Sequence, residues 1–510
     1  HASVAPTLNE SQVASDERPE PKASPGDDLE AVPSTPIYPD PKSLLHEIAF
    51  IFIVCTAQLM TQAGLALSIA PLKIIATSFN SSTKDMTWAS AGYSLTVGTF
   101  IFISGRLGDV YGHRLMFIIG FLWFGIWSVL AGVSVWSNQI FFDCCRAFQG
   151  IGPALLLPNG AAILGRTYPP GPRKGMVFCV FGAVAPAGFV LGATFSSLLA
   201  QFLWWPWAYW IMGIACVVFA VVGYLVIPPM YQEVPRKDLS TLERLDGYGA
   251  MTGVSGLILI NFAWNQAAAV GWKVPYTYAL LIVGILIIVL FIFIERKAVY
   301  PLLPQSALRG EVGWVLGCIA AGWSSFGVVV FYFYNILENI EGNKGLLVTA
   351  KFCGAAVSGA CAAIFTGFLL GRVQASVIML LAMLAFSAGQ ALLASMPIGQ
   401  VYWANAFVIT LITPFGMDMS FPSGSLILSN AMPQKHQGVA GSLVSTVVNY
   451  SISMGLGFAG TVEYYVNDNG KDELKGYRGA SYTGVGLAGA GVVIATCFMI
   501  VTWRKSRKDS

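Results

Sequence analysis

The sequence predicts an all-α protein that crosses a lipid bilayer many times, and three observations carry that expectation. Only 11% of its 510 residues are charged, where a soluble domain carries about 25%. Hydrophobic residues make up 55% and the mean hydropathy is +0.66. From Glu47 onward the chain divides into fourteen apolar segments of about 20–28 residues, each long enough to cross roughly 30 Å of hydrocarbon. Nine of the 26 acids fall within the first 47 residues, so the rest of the chain is poorer still in charge. Such a composition excludes an ordinary cytosolic enzyme, and a net charge of +3 excludes a nucleic-acid binder.

Residues 1–45 hold eight prolines, eight acids and three bases, with almost no large apolar side chain. A segment of that kind cannot bury a core and reads as a disordered acidic tail. The chain opens at His1, which reads as a trimmed start, and the first span is expected to act as the insertion signal. The expected spans are 47–70, 87–107, 114–135, 138–165, 174–199, 204–227, 248–268, 275–294, 312–337, 345–370, 374–395, 401–428, 437–464 and 481–503. They define a six-helix bundle over 46–228, a loop over 229–247, a helix pair over 248–295, a loop over 296–311 and a second six-helix bundle over 312–503. A basic tail, 504–510, closes the chain.

Basic residues set the orientation. With the amino terminus in the cytoplasm, inner loops and the carboxyl tail hold seventeen Lys and Arg, against seven in the outer loops. Both termini are therefore expected inside. Asn80-Ser-Ser82 in the first outer loop is a glycosylation sequon close to the membrane. The nine cysteines lie in apolar runs and read as small helix residues; no C-x-x-C or His–Cys spacing offers a metal site. The four histidines are isolated, so neither a metal nor a cofactor is expected. An internal repeat is visible at an offset of 262–263 residues: Gly105 falls on Gly367 and Gly192 on Gly455, so spans 1–6 recur as spans 9–14 and spans 7–8 are an insertion.

Three motifs then carry the function. Gly105-Arg-Leu-Gly-Asp-Val-Tyr-Gly-His-Arg114 lies between spans two and three. Gly105, Gly108 and Gly112 permit a tight turn and close helix approach, and Asp109 can accept hydrogen bonds from a helix amino terminus or an arginine. The stretch resembles the G-x-L-x-D-x-x-G-R-[KR] signature of the major facilitator superfamily, with Val110 and His113 where that family often has bases. Arg146-Ala-Phe-Gln149-Gly150 in span four resembles the R-x-x-Q-G motif of the same family. Asp143 stands three residues before Arg146, so the two either line a cavity as a proton-handling pair or lock span four to a neighbour. Gly182-Ala-Val-Ala-Pro186-Ala-Gly188-Phe-Val-Leu-Gly192 in span five resembles the antiporter motif of proton-coupled drug exporters, Pro186 bending the helix while Gly188 and Gly192 allow tight packing at the hinge between the halves. Trp204-Trp-Pro-Trp-Ala-Tyr-Trp210 follows as an interfacial aromatic belt.

Few other ionisable groups lie within spans. Asp418, between Pro414 and Pro422, is expected near mid-membrane as proton carrier or counter-charge to a substrate. Lys351 either reaches outward or pairs with Glu338 or Glu341, and Glu463 is placed near the interface. Gln58 and Gln62 form a polar stripe on span one, which has no central acid. As a whole the chain resembles fourteen-span drug:proton antiporters, and in particular their fungal aminotriazole-resistance and boron-efflux branch. The resemblance implies two six-helix bundles plus an inserted pair, alternating access, and small-molecule export exchanged for protons by a monomer in the plasma or vacuolar membrane. A facilitative or uptake carrier for a small polar solute such as ammonium or borate is the alternative; an enzyme is not expected.

Overall fold

The structure, a computed structural model, describes residues 43–81, 86, 88–229, 245–298, 301–302, 310–370, 372–432, 437–468 and 470–509. The acidic tail through Lys42 and most of the loops at 229–247 and 296–311 lie outside them, as does Ser82 of the sequon. Among the described residues the protein is built of helices, and thirteen are long and apolar enough to cross a membrane.

The membrane helices in chain order are α1 (Leu44–Ile69), α2 (Trp88–Tyr111), α3 (His113–Val133), α4 (Gln139–Thr167), α5 (Pro172–Phe202), α6 (Pro206–Val226), α7 (Gly247–Val270), α8 (Pro275–Glu295), α9 (Glu311–Asn335), α10 (Gly345–Leu369), α11 (Ala375–Ala394), α12 (Ala406–Ala431), α13 (Gln437–Val466) and α14 (Glu473–Asp509). The fourteenth expected span, α2, is a helix of 24 residues whose length suffices but whose Ser, Thr and Tyr content makes it the least apolar. It lies inside the molecule against α4 and α13, where lipid does not demand an apolar surface.

Helix ends are set by local chemistry. Ser43, Asn138 and Asp246 each accept a hydrogen bond from an early backbone N–H of α1, α4 and α7, and prolines occupy the first turn of α5, α6 and α8. Helix α4 is broken at Gly150 into Gln139–Gln149 and Ile151–Thr167, and α10 is broken at Cys353. A π-turn, Ile336–Ile340, ends α9. Two boundaries differ from the sequence expectation. Helix α14 begins eight residues earlier and continues to Asp509, so the basic tail is helical up to that residue. The expected turn of Gly105–Arg114 is helical up to Tyr111, and only Gly112, at φ 100°, makes the break.

Each half repeats the same packing. In the first, α1 packs on α5, α3 on α6 and α2 on α4; in the second, α9 packs on α13, α11 on α14 and α10 on α12. The halves meet along two seams, α2 against α13 and α5 against α10 and α12. Glycines set the α1–α5 and α9–α13 approaches inside each half, so Gly188 and Gly192 pack within the first half and not at the hinge between halves where they were expected. A Cβ on Gly188 or Gly192 would strike the backbone of Leu59 or Ala63, and in the second half a Cβ on Gly455 would strike Ser324. Helices α7 and α8 pack on each other and cover the α2–α13 seam. Towards α13 the contact combines hydrogen bonds with a ring pair: Asn261 Oδ1 accepts from Ser453 Oγ and from Asn265 Nδ2, both at 2.8 Å, Tyr450 donates to the carbonyl of Leu257, and Trp264 meets Phe458 edge-on. Towards α2 the ring contacts are Trp88 on Phe262 and Phe102 on Phe291. The outer side of α8 exposes Ile282, Leu286, Leu290 and Phe293.

Candidate functional site

Four clusters collect the ionisable and polar groups that the apolar helices enclose. The first lies where α2, α3, α4 and α13 cross, on the face that carries both ends of the described chain. Asp109 Oδ1 is 3.1 Å from Arg166 Nη2, 3.2 Å from His113 Nε2, and accepts from the backbone N–H of Gly438 at 3.3 Å. Its Oδ2 is buried without a hydrogen-bond partner. This carboxylate therefore joins the first half to the amino end of α13, where aligned N–H groups favour an anion. Gly105 and Gly108 do not turn the chain; they let helices touch, since a Cβ on Gly105 would collide with the Gly438 carbonyl and one on Gly108 with Asn159 and His113. Arg114 points elsewhere: its Nη2 donates to the carbonyl of Tyr224 at 2.5 Å and its guanidinium lies over that ring, tying α3 to α6 within one half. Its expected part in gating between halves is thereby replaced by a tie within the first bundle.

The second cluster surrounds Arg146, which is fully buried. It donates to the carbonyls of Gly64 and Ala89, both at 2.9 Å, to Ser68 Oγ at 3.1 Å and to Gln149 Oε1, and lies between the rings of Tyr93 and Tyr209. Gln149 in turn donates to Ser128 Oγ at 2.6 Å. The expected Asp143–Arg146 pair does not form. Asp143 Oδ2 accepts from Gln139 Nε2 at 3.4 Å, its Oδ1 is buried without a hydrogen-bond partner, and the guanidinium is saturated by carbonyls and π faces instead. Residues three apart share a helix face, but the face here is divided among neighbours from α1, α2, α3 and α6.

The third cluster sits on the α5 seam. Asp418 is the thirteenth residue of the 26-residue α12 and is 2% exposed. Its Oδ2 has no hydrogen-bond partner. Gly359 of α10 faces it: a Cβ there would lie 2.8 Å from Asp418 Oδ2 and 2.9 Å from Pro186 Cγ. The acid is thus enclosed between α10, α12 and the proline bend of α5, at the boundary between the halves. Gly182 makes a matching contact with Pro422. On α1, Gln58 is buried with Oε1 lacking a hydrogen-bond partner, and Gln62 is half-buried.

The fourth cluster lies on the opposite face. Phe189, Tyr334 and Phe352 form a ring triad across the seam, with centroids 5.7–6.0 Å apart. Gly345 is close to the carbonyl of Ala70 and to Glu338. Lys351 pairs with Glu341 at 3.5 Å, and Tyr332 donates to Glu463 at 2.6 Å. The halves thus touch on both faces.

Sequence reasoning named Asp109 with His113 and Asp418 with Pro186, but missed the remaining companions. Asn159 is a lone amide in an apolar stretch, which is a readable signal; Arg166 looked like an ordinary loop base, and Gly438 contributes only its backbone. All nine thiols are free, five buried and four exposed.

Comparison with known proteins follows the geometry. Residues 52–458 match the family described as the Major Facilitator Superfamily. The chain is 58% identical to the low affinity ammonium transporter of Saccharomyces cerevisiae, over 92% of this chain and 91% of that protein. It is 47% identical to the efflux pump terJ of Aspergillus terreus, covering 91% and 90%, and 38% identical to the aminotriazole resistance protein of Saccharomyces cerevisiae, covering 91% and 86%. The crystal structure of the human organic anion transporter MFSD10 superposes with a TM-score of 0.61 at 14% identity, covering 88% of this chain and 99% of that one.

Proposed function

The chain belongs to the major facilitator superfamily and is a membrane transporter of small molecules; on that premise we propose that it is a proton-coupled antiporter that exports small toxic solutes by alternating access. The observation that carries this reading is the enclosed carboxyl of Asp418, lacking a hydrogen-bond partner at Oδ2 and set against Pro186 and Gly359 on the seam where the halves would part. A carboxylate enclosed in an apolar setting needs a proton or a cation as companion. Rocking the halves about α5 exposes it first to one face and then to the other, so a proton and a substrate exchange on one group. Relatives named as efflux pumps and as a resistance protein support the direction. We place both termini in the cytoplasm, following the excess of basic residues in those loops, the protein in the plasma membrane, and the working unit as a monomer.

A second reading is uptake of ammonium or a similar small polar solute down its gradient, favoured by the 58% identical relative. Proteoliposomes separate the two. Under proton exchange, an imposed pH gradient drives movement of aminotriazole or a test cation and a protonophore abolishes it. Under facilitated uptake, methylammonium enters without regard to the protonophore.

A further inference from the structure

Helix α14 does not stop with its apolar stretch. That stretch ends at Trp503, and the helix continues through Arg504-Lys-Ser-Arg-Lys-Asp509, which holds four bases and one acid. Six further residues rise about 9 Å, enough to carry the bases through the headgroup layer beyond the hydrocarbon. The two sides of this helix end differ. Phe498 is fully buried and stacks on Trp314 of α9, and Thr502 Oγ1 is 2.9 Å from Ser376 Oγ of α11, so this side is fixed to the bundle. Lys505, seven residues beyond Phe498, shares that side, and Glu311 opens α9 one turn before Trp314. The opposite side carries Val493, Cys497 and Ile500, all exposed, at spacings of four and three. The same row continues into Arg504 and Arg507, both exposed. Trp503 flanks the row, and the Arg507 guanidinium lies 4.0 Å from its ring centroid, which keeps the charge at the level of the indole.

We infer that this outward row seats one phospholipid with a net negative headgroup, its acyl chain along Val493, Cys497 and Ile500 and its phosphate between Arg504 and Arg507. The layout of the row, apolar and then cationic, matches that of the lipid, acyl chain and then phosphate. A guanidinium presents paired N–H donors to phosphate oxygens, and two of them stand one turn apart at headgroup depth. Charge selects the headgroup: the ammonium of a zwitterionic lipid meets bases of its own sign, whereas an added anionic group meets their attraction. The contacts with Trp314 and Ser376 hold the helix end in place, so binding does not have to order a loose tail. The site lies on the lipid-facing flank of the second half, apart from Asp418 and independent of what the protein carries.

The test is quenching of a fluorescent non-natural side chain at position 497 of the full chain, reconstituted in phosphatidylcholine vesicles. A minor fraction of the lipid is brominated on its acyl chains, as phosphatidylserine in one set and phosphatidylcholine in the other. In the wild type, brominated phosphatidylserine should quench as though enriched about tenfold or more over its bulk share, and brominated phosphatidylcholine as at its bulk share. Arg504→Gln and Arg507→Gln should each cut the enrichment about fivefold, the contribution of one base near anionic lipid. Lys505→Gln removes the same charge from the bundle side and should leave the enrichment within about twofold of wild type. Equal quenching by the two lipids in the wild type overturns the inference, as does an Arg504→Gln or Arg507→Gln protein of unchanged melting temperature that keeps the enrichment. A loss in Lys505→Gln as large as in the arginine variants overturns it as well, because diffuse attraction to the basic end would then replace a seated lipid.

Discussion

Arg146 donates from Nη2 to the carbonyl oxygen of Gly64 at 2.9 Å, joining α4 to α1 inside the first bundle. Its other hydrogen bonds reach Ser68 of α1, Ala89 of α2 and Gln149 of α4. Among the described residues the charge has no carboxylate at ion-pair distance. It is held by carbonyl dipoles and two tyrosine faces, an arrangement suited to the planar fork of a guanidinium. Arg146 is therefore a keystone of one bundle more than a lining of an open cavity.

Arg146→Ala strands four acceptors away from water and should lower stability by at least about 3 kcal/mol. Arg146→Lys restores charge without the fork and should recover only part of that loss. Thermal unfolding of the purified protein in detergent measures both; equal melting temperatures for the wild type and Arg146→Lys would contradict the fork argument.

Asp418→Asn keeps shape and volume and should leave folding intact. Movement driven by a pH gradient should fall by tenfold or more in proteoliposomes, while exchange of labelled for unlabelled substrate persists. Asp143→Asn, remote from the seam and joined to Gln139, should keep its gradient dependence. If the two variants behave alike, Asp418 holds no special place.

Gly192 and Gly455 occupy equivalent positions, one against Ala63 and the other against Ser324. Replacing either with Val forces helices apart and should cost about 1–3 kcal/mol. Gly486, which faces open space within α14, is the control: Gly486→Ala should be neutral or stabilising by about 0.5–1 kcal/mol. Melting temperatures of the three single variants decide whether glycine matters for contact or only for composition.

Arg173 and Glu47 form a 2.5 Å ion pair between α5 and α1, yet the Arg173 side chain is 64% exposed. Arg173→Ala should therefore change stability by no more than about 1 kcal/mol. A larger drop in melting temperature would mean that this contact is shielded from water, for example by lipid headgroups.

The sequence was most readable where physics leaves one choice. An apolar run of 20 or more residues must become a helix in lipid, because every backbone group has to be satisfied within it. Glycine spacing likewise announced that α5 would be closely packed, but not that its partner would be α1 of the same half. What the sequence could not convey was the rotation of each helix about its axis. In a soluble protein the polar stripe marks the outside, but here both sides are apolar, so nothing indicated that Arg146 would turn towards Gly64 and leave Asp143 to Gln139. Helix α2 shows the complement: packed against α4 and α13, it can carry Ser, Thr and Tyr where a lipid-facing helix would need apolar side chains. Backbone donors such as the Gly438 N–H have no side-chain signature at all.

The inserted pair breaks the likeness between the two halves. Helix α7 is hydrogen-bonded to α13 through Asn261, Ser453 and Tyr450, whereas its contacts with α2 include the Trp88–Phe262 ring pair. Polar ties resist sliding and aromatic faces permit it. When the halves part, α7 and α8 should travel as cargo of the second half and sweep across the first. One flank of the molecule is thus double-walled and the other single, so a lipid-soluble molecule entering from the side meets an obstacle on the α2–α13 flank that the α5–α10 flank lacks.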